Sequence, residues 1–292
     1  MCITAIGWQL FDEMPLLILS NRDEFIDRPT LPLYEWQGVH QGVIAGQDAQ
    51  AGGTWLGVHP QSGRWGILLN YRKIDRHNPR PTFTTTRGEI VVDFLLGGLS
   101  PLAFARQLEV MAYDGFNLVI GDRHQAVMLN NRGHGIEVLA NGLYVLSNGE
   151  PNDAWFKTER LRGRVRQEVL PLVAEQIADM KMTDEQQAAQ LPTQLSNQLL
   201  NSQADWQTAA LAVLTDTVQA PVEQLPPTGL SPDAEMALSS IFIPTARLQG
   251  VFSHGYGTGV SSVVAMTKQH VSIVEKQHFT NRKRQILCEL TH

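Results

Sequence analysis

A chain of 292 residues and 32.4 kDa, 43% hydrophobic and with a net charge of -6, is long enough to bury a sizeable core and reads as soluble and globular. Its 23 Lys and Arg stand against 29 Asp and Glu, and the one basic cluster, "NRKR" at Asn281–Arg284, is expected to be a solvated face, so nucleic acid is excluded as a partner. Early apolar runs are broken by Asp12 and Glu13 with no basic segment before them, so neither a signal peptide nor an integral membrane segment is expected, and the cytoplasm is the expected location.

From residue 2 to about 147 the chain reads as short β-type runs separated by Gly, Pro and Asn: "CITAIGWQL", "PLLILSN", "GVIAG", "TWLGVHP", "RWGILLNYR", "FNLVIGD", "QAVMLNN" and "LYVLSNG". A helical interruption is predicted over Gly88–Leu96 and Pro101–Met111, where Pro101 suits a first helical turn. A mainly helical segment follows at about 153–220, with Thr183-x-x-Gln186 resembling a capping box and Pro192 expected to kink or split it. "PVEQLPPTGLSP" at Pro221–Pro232 reads as a loop, after which strands resume in "ALSSIFIP", "VSSVVAMT" and "HVSIVEKQ". Strands, then helices, then strands again predict an α+β fold with antiparallel strands, and the returning C-terminal strands favour one domain over 1–292.

"LLILSNRDEFIDRP" at residues 16–29 ends an apolar run in Asn21, Arg22, Asp23 and Glu24. If the first two strands form a hairpin with Gln9 opposite Leu16, Cys2 falls opposite Asp23, with Cβ atoms roughly 4.5–5.5 Å apart. A slip of one residue would make the partner Arg22 or Glu24. Alternation along a strand puts Asn21 and Asp23 on one face and Arg22 and Glu24 on the other. The expectation is that Asp23, with Asn21, addresses Cys2, while Arg22 and Glu24 form an ion-pair corner at the far face.

Position 2 matters chemically. Removal of Met1 would give Cys2 both a thiol and a free α-amine, whose pKa of about 8 suits it to act as base for a thiol near 8.5. A nearby carboxylate can orient that amine. The two cysteines, Cys2 and Cys288, lie at opposite ends of the chain and do not make a disulfide framework. The nine histidines lack H-E-x-x-H or Cys/His spacing, so no metal is expected, and "GYGTG" at Gly255–Gly259 is not a phosphate-binding loop.

Taken in order, "MC" at the start, "NRDEFIDRPT" at Asn21–Thr30, "AGGTWLGV" at Ala51–Val58, "GFNLVIGD" at Gly115–Asp122, "SNG…AWFK" from Ser147 to Lys157 and "YGT" at Tyr256–Thr258 resemble the NRDE, or transport and Golgi organisation 2, family over nearly the whole chain. The resemblance implies a branch of the N-terminal-nucleophile (Ntn) hydrolases, and with it a four-layer αββα sandwich of two mainly antiparallel sheets flanked by helices. By similarity to the cysteine Ntn amidases, Cys2 would be the nucleophile, Asp23 the orienting carboxylate, Asn148 an oxyanion-hole donor and Asn70 a second donor. Arg22 is a further candidate in the motif, although those amidases carry their arginine three residues before the aspartate. Gly53, Thr54 and Trp55 would wall the pocket, with Gly52 allowing close backbone approach, and Asn21 and Tyr256 would contribute to substrate binding. Relatives commonly read "YGTR" where this chain has Gly259, leaving Arg72 and Arg247 as candidate replacements.

The expected function is an Ntn-type cysteine hydrolase acting on a linear amide or related acyl bond after Met1 removal. The alternative is a non-catalytic carrier of a hydrophobic small molecule, such as haem, a lipid or acyl-CoA, in the same pocket. No cofactor is expected for the hydrolase, and homo-oligomerisation is left open.

Overall fold

The computed structural model describes residues 2–72, 83, 85–186, 200, 205–248 and 254–290, with backbone alone for 180–186. Among the described residues, thirteen strands form two antiparallel sheets. The first sheet contains β1 (Ile3–Trp8), β2 (Leu16–Phe25), β10 (Gly142–Leu146), β11 (Tyr256–Met266), β12 (His270–Gln277) and β13 (Arg282–Glu289), in the order β10-β1-β2-β11-β12-β13. The second contains β3 (Thr30–Glu35), β4 (Ile44–Asp48), β5 (Leu56–His59), β6 (Arg64–Asn70), β7 (Phe116–Gly121), β8 (Ala126–Asn130) and β9 (Gly135–Val138), in sequence order.

Three apolar layers hold the sheets and helices together. Ile6, Trp8, Leu16 and Ile18 meet Trp55, Val58, Trp65 and Val119 between the two sheets. Ile3, Ala5, Leu17 and Leu19, the alternate residues of β1 and β2, pack instead under α3 (Phe156–Arg164), α4 (Leu170–Gln186) and α5 (Asp205–Val213) through Leu161, Val173 and Trp206. The outer face of the second sheet packs under α1 (Arg87–Leu96) and α2 (Pro101–Gln107) through Ile90, Phe94 and Ala105. The chain is therefore an α+β sandwich in four layers, helices outside and sheets inside. Strands covered on both faces explain why "LLIL" is apolar without alternation.

The helical region is continuous from α3 through one π-helical turn (Val165–Val169) into α4. Because α4 runs on to Gln186, Thr183 lies in its last turn and starts no helix, a correction to the capping-box reading. Pro192 lies outside the described residues. "ALSSIFIP" is buried but forms no strand, which is also a correction: its first residue ends the short helix α6 (Pro232–Ala237), and its backbone groups find irregular partners. Phe242 N–H donates to Asp216 O at 2.7 Å, Ile243 N–H to Thr258 Oγ1 at 2.8 Å, and Ile241 O accepts from Asn21 Nδ2 at 2.9 Å. Among the described residues no helix is long and apolar enough to cross a membrane.

Candidate functional site

The β1–β2 hairpin positions Cys2. Gln9 takes a left-handed conformation (φ 50°) and its N–H donates to Pro15 O at 2.7 Å, so Trp8 pairs with Leu16 and Ile3 with Asn21. That register is one residue from the expected one and carries Cys2 opposite Arg22 instead of Asp23. The Gln9–Pro15 bond closes the hairpin one residue tighter than expected, and Pro15, having no N–H, ends the ladder at Trp8–Leu16. The correction exchanges the faces of the site. Cys2 packs at the edge of the inter-sheet core, and with Arg22, Glu24, Trp55 and Asn70 it lines a cleft of about 290 Å³. Arg22 and Glu24 therefore stand on the thiol's own side.

Arg22 is buried beside the cleft. Its guanidinium lies 3.1 Å from Asp48 and 3.5 Å from Glu24, donates to Thr30 Oγ1 at 3.2 Å, and stacks 4.4 Å from the Trp55 ring centroid. Arg28 closes on the same Asp48 oxygen at 2.6 Å. Burial works against ionisation of Asp48, but the Arg28 hydrogen bond, the Ala51 N–H and the charges of Arg28 and Arg22 hold its carboxyl below the usual range. Asp48 also accepts the N–H groups of Gln50 and Ala51, fixing the "AGGTW" turn that forms one wall. At Gly53 a Cβ would stand 2.4 Å from the Gly88 carbonyl carbon, so only glycine lets the turn approach α1. Thr54 and Trp55 continue this wall, and Thr54 Oγ1 donates to Leu56 O at 3.1 Å.

Beneath Cys2, on the helix-facing side, Asp23 is buried and accepts Thr258 Oγ1 at 2.6 Å. Burial pushes its carboxyl up, opposed by the terminal ammonium, by Lys157 and by the Thr258 bond. Asp23 meets Cys2 through its own backbone, whose N–H hydrogen-bonds the sulfur; burial nevertheless raises the thiol's pKa above its ordinary value. Asn21 shares the face of Asp23 but does not reach the cleft. Its Nδ2 donates to Leu214 O at 2.8 Å and Ile241 O at 2.9 Å, and its Oδ1 accepts Ser261 Oγ at 2.6 Å. It is a clamp between the sheet and the loops outside it. Tyr256 is likewise outside the cleft lining, donating its hydroxyl to Asp23 O at 3.1 Å.

Asn148 holds the main chain of Cys2. Its Oδ1 accepts Cys2 N–H at 2.7 Å and its Nδ2 donates to Asn70 O at 2.5 Å. The partners dictate this amide orientation, because an N–H needs an acceptor and a carbonyl needs a donor. Ser147 Oγ donates to Cys2 O at 2.8 Å, so both backbone groups of Cys2 are tied to the residues after β10. Asn117 of β7 anchors that segment in turn, donating to Ser147 O at 2.9 Å and Gly149 O at 2.7 Å, and is itself held by Asn130 Nδ2 at 2.6 Å. Asn70 ends β6 with its side chain exposed to the cleft.

Gly259 sits in a bulge, where the β2–β11 register shifts between Thr258 and Val260. A Cβ there would stand 2.9 Å from the Phe279 ring, so that aromatic fills the space beside residue 259. Of the two arginines considered as replacements, Arg247 binds Ser240 Oγ and Thr217 O away from the cleft. Arg72 lies next to the site, its N–H donating to Asn148 O at 2.6 Å and its guanidinium pairing with Glu235 at 2.7 Å.

Several members of the site were not singled out in the sequence: Asp48, Asn117, Thr258 and Lys157. Asn117, Thr258 and Lys157 each lay inside a quoted motif, but none of those motifs signals what its residue contacts around Cys2. Ser261 and His278, 2.8 Å apart, form no nucleophilic pair, since the single hydroxyl proton of Ser261 goes to Asn21.

The family described as Transport and Golgi organisation 2 matches residues 1–280. The Transport and Golgi organization 2 homolog of Mus musculus is 33% identical over 153 residues, covering 49% of this chain and 53% of the mouse protein. The Homo sapiens homolog is 32% identical over 154 residues, again 49% and 53%, and Transport and Golgi organization protein 2 of Drosophila melanogaster is 31% identical over 158 residues, 49% and 54%. The aligned stretch thus spans about half the length of these curated relatives. With the family pattern running through both sheets and every wall of the cleft, the chain belongs to the Transport and Golgi organisation 2 family.

Proposed function

We propose that the protein is an N-terminal-nucleophile cysteine hydrolase acting on a linear amide or related acyl bond once Met1 has been removed. The observation that carries this reading is the placement of Cys2, with its nitrogen 2.7 Å from Asn148 Oδ1 and its side chain at a cleft of about 290 Å³. After Met1 removal that nitrogen is the α-amine. With one hydrogen committed to Asn148 and Asp23 below, its lone pair is free to take the thiol proton. The sulfur then attacks the acyl carbon, the C–N bond breaks, and the proton passes to the leaving nitrogen. Water adds to the thioester carbonyl, releasing the acid and returning a proton to sulfur. Asn70, whose side-chain amide faces the cleft, is assigned to the developing oxyanion; Asn148 serves as the holder of the amine, because its carbonyl oxygen faces Cys2. Such a reaction suits a reducing compartment such as the cytoplasm.

Intact-mass analysis of the Met1-processed protein treated with an acyl electrophile tests this. One adduct that maps to Cys2 and is lost in Cys2→Ala is expected; its absence from the processed wild type would refute the reading. Phe25, Trp55 and Leu68 in the same cleft favour, as a second reading, a carrier of a hydrophobic molecule. Haem titration producing a Soret band that a single His or Cys change abolishes would select that reading.

A further inference from the structure

Lys157 is the most anomalous charge among the described residues. It lies in the first turn of α3, which packs on β1 and β10, and is 2% exposed with no hydrogen-bond partner for Nζ. Three costs fall on it together: desolvation, an unpaired ammonium, and a position at the positive end of a helix. Groups this unfavourable cluster at functional sites. The charged and titratable groups facing it come from four elements: Asp23 of β2, Cys2 before β1, Arg72 after β6, and Glu235 of α6. Arg72 is already committed to Glu235 at 2.7 Å, which leaves Lys157 as the cation for Asp23.

We propose that Lys157 is a positioning residue for the Cys2 centre: its buried ammonium keeps Asp23 ionised while the Cys2 amine is neutral, so that the carboxylate can go on orienting the amine that takes the thiol proton. This rests on the hydrolase reading. In the chain that still carries Met1, the terminal ammonium and Lys157 are cations opposing the burial that drives Asp23 toward its neutral form, and after Met1 removal the terminal amine is that of Cys2. An amine acting as base has given up its charge, and at that moment Lys157 alone remains. Burial lowers the lysine's pKa to about 8, against the pull of Asp23, so it is still mostly charged at neutral pH. Its field also favours the Cys2 thiolate.

The test is the rate of Cys2 carboxamidomethylation by iodoacetamide between pH 6 and 9.5, read by peptide mass on the Met1-processed wild type, Lys157→Met, Lys157→Gln and Lys157→Arg, with Cys288 as internal reference. Lys157→Met is expected to slow Cys2 about tenfold at pH 7 with Cys288 unchanged, and Lys157→Arg to stay within about threefold of wild type. Lys157→Gln, which removes the charge but keeps a polar side chain, is expected to slow Cys2 to a similar degree, so the test stands even if Lys157→Met does not fold. A Cys2 rate in folded Lys157→Met or Lys157→Gln within twofold of wild type overturns the proposal. Acyl-adduct formation read in parallel separates the two ideas. An adduct with no effect of Lys157 sinks only this proposal, and a Lys157 effect with no adduct sinks only the hydrolase reading.

Discussion

Glu275 of β12 is 2% exposed between the sheets, where its Oε1 accepts Leu33 N–H from the opposite sheet at 2.9 Å. Gly46 makes room for it: a Cβ there would stand 2.9 Å from Glu275 Oε2 and 2.7 Å from the Trp55 ring. Burial raises its pKa from the ordinary 4.5 to about 7, against the pull of Leu33 N–H, Arg284, Gln277 and Arg22. A carboxyl whose folded pKa is raised contributes stability that is fully present below 4.5 and lost as pH rises through 7. At roughly 1.4 kcal/mol per pH unit, the rise from 4.5 to about 7 amounts to about 3 kcal/mol. Glu275→Gln keeps the acceptor for Leu33 and removes the titration. Urea unfolding of both proteins from pH 4 to 8 should show wild type losing about 3 kcal/mol relative to the variant across that window. The comparison cancels His278, whose burial lowers its pKa to about 4 and which therefore contributes stability in the opposite direction, lost as pH falls. A difference that stays flat within about 0.5 kcal/mol, or that rises with pH, would refute the reasoning.

Arg22→Met should cost about 2 kcal/mol in urea unfolding, less than a fully broken buried pair, because Arg28 still neutralises Asp48 at 2.6 Å. A loss below about 0.5 kcal/mol would remove the case for a buried clamp against Trp55. Asn148→Ala leaves Cys2 N–H and Asn70 C=O without their partner and should cost about 1–3 kcal/mol per group. Asn148→Asp should recover the Cys2 bond alone, and a melting temperature for Asn148→Ala equal to that of wild type would rule out the anchoring role.

Strand runs, the helical interruption after Gly88 and the helical segment after residue 153 were legible because buried strands and amphipathic helices carry strong local patterns. The missed strands β3, β9 and β13 are all edges of their sheets. Edge strands carry residues that blunt further pairing, such as Pro32 beside the register shift in β3 and the charges of "RKRQILCE" in β13, and these read locally as loop or solvated surface. The "ALSSIFIP" error had the opposite origin, an apolar segment buried without a ladder.

The candidate site divides along the same line. Residue order alone placed Cys2 near the polar end of β2 and separated Asn21 and Asp23 from Arg22 and Glu24, whereas Asn70, Asn148 and the Gly53–Trp55 wall were singled out only through the resemblance to the family. Local periodicity is enough for the separation, since alternation is a property of any extended chain. Which of the two faces meets the thiol was decided by the turn at Gln9–Pro15, because one residue of register exchanges the faces. The burial of Lys157, the Asp48 clamp and the Asn117 anchor were decided only when helices and both sheets packed together, since the partners of these groups lie far away along the chain.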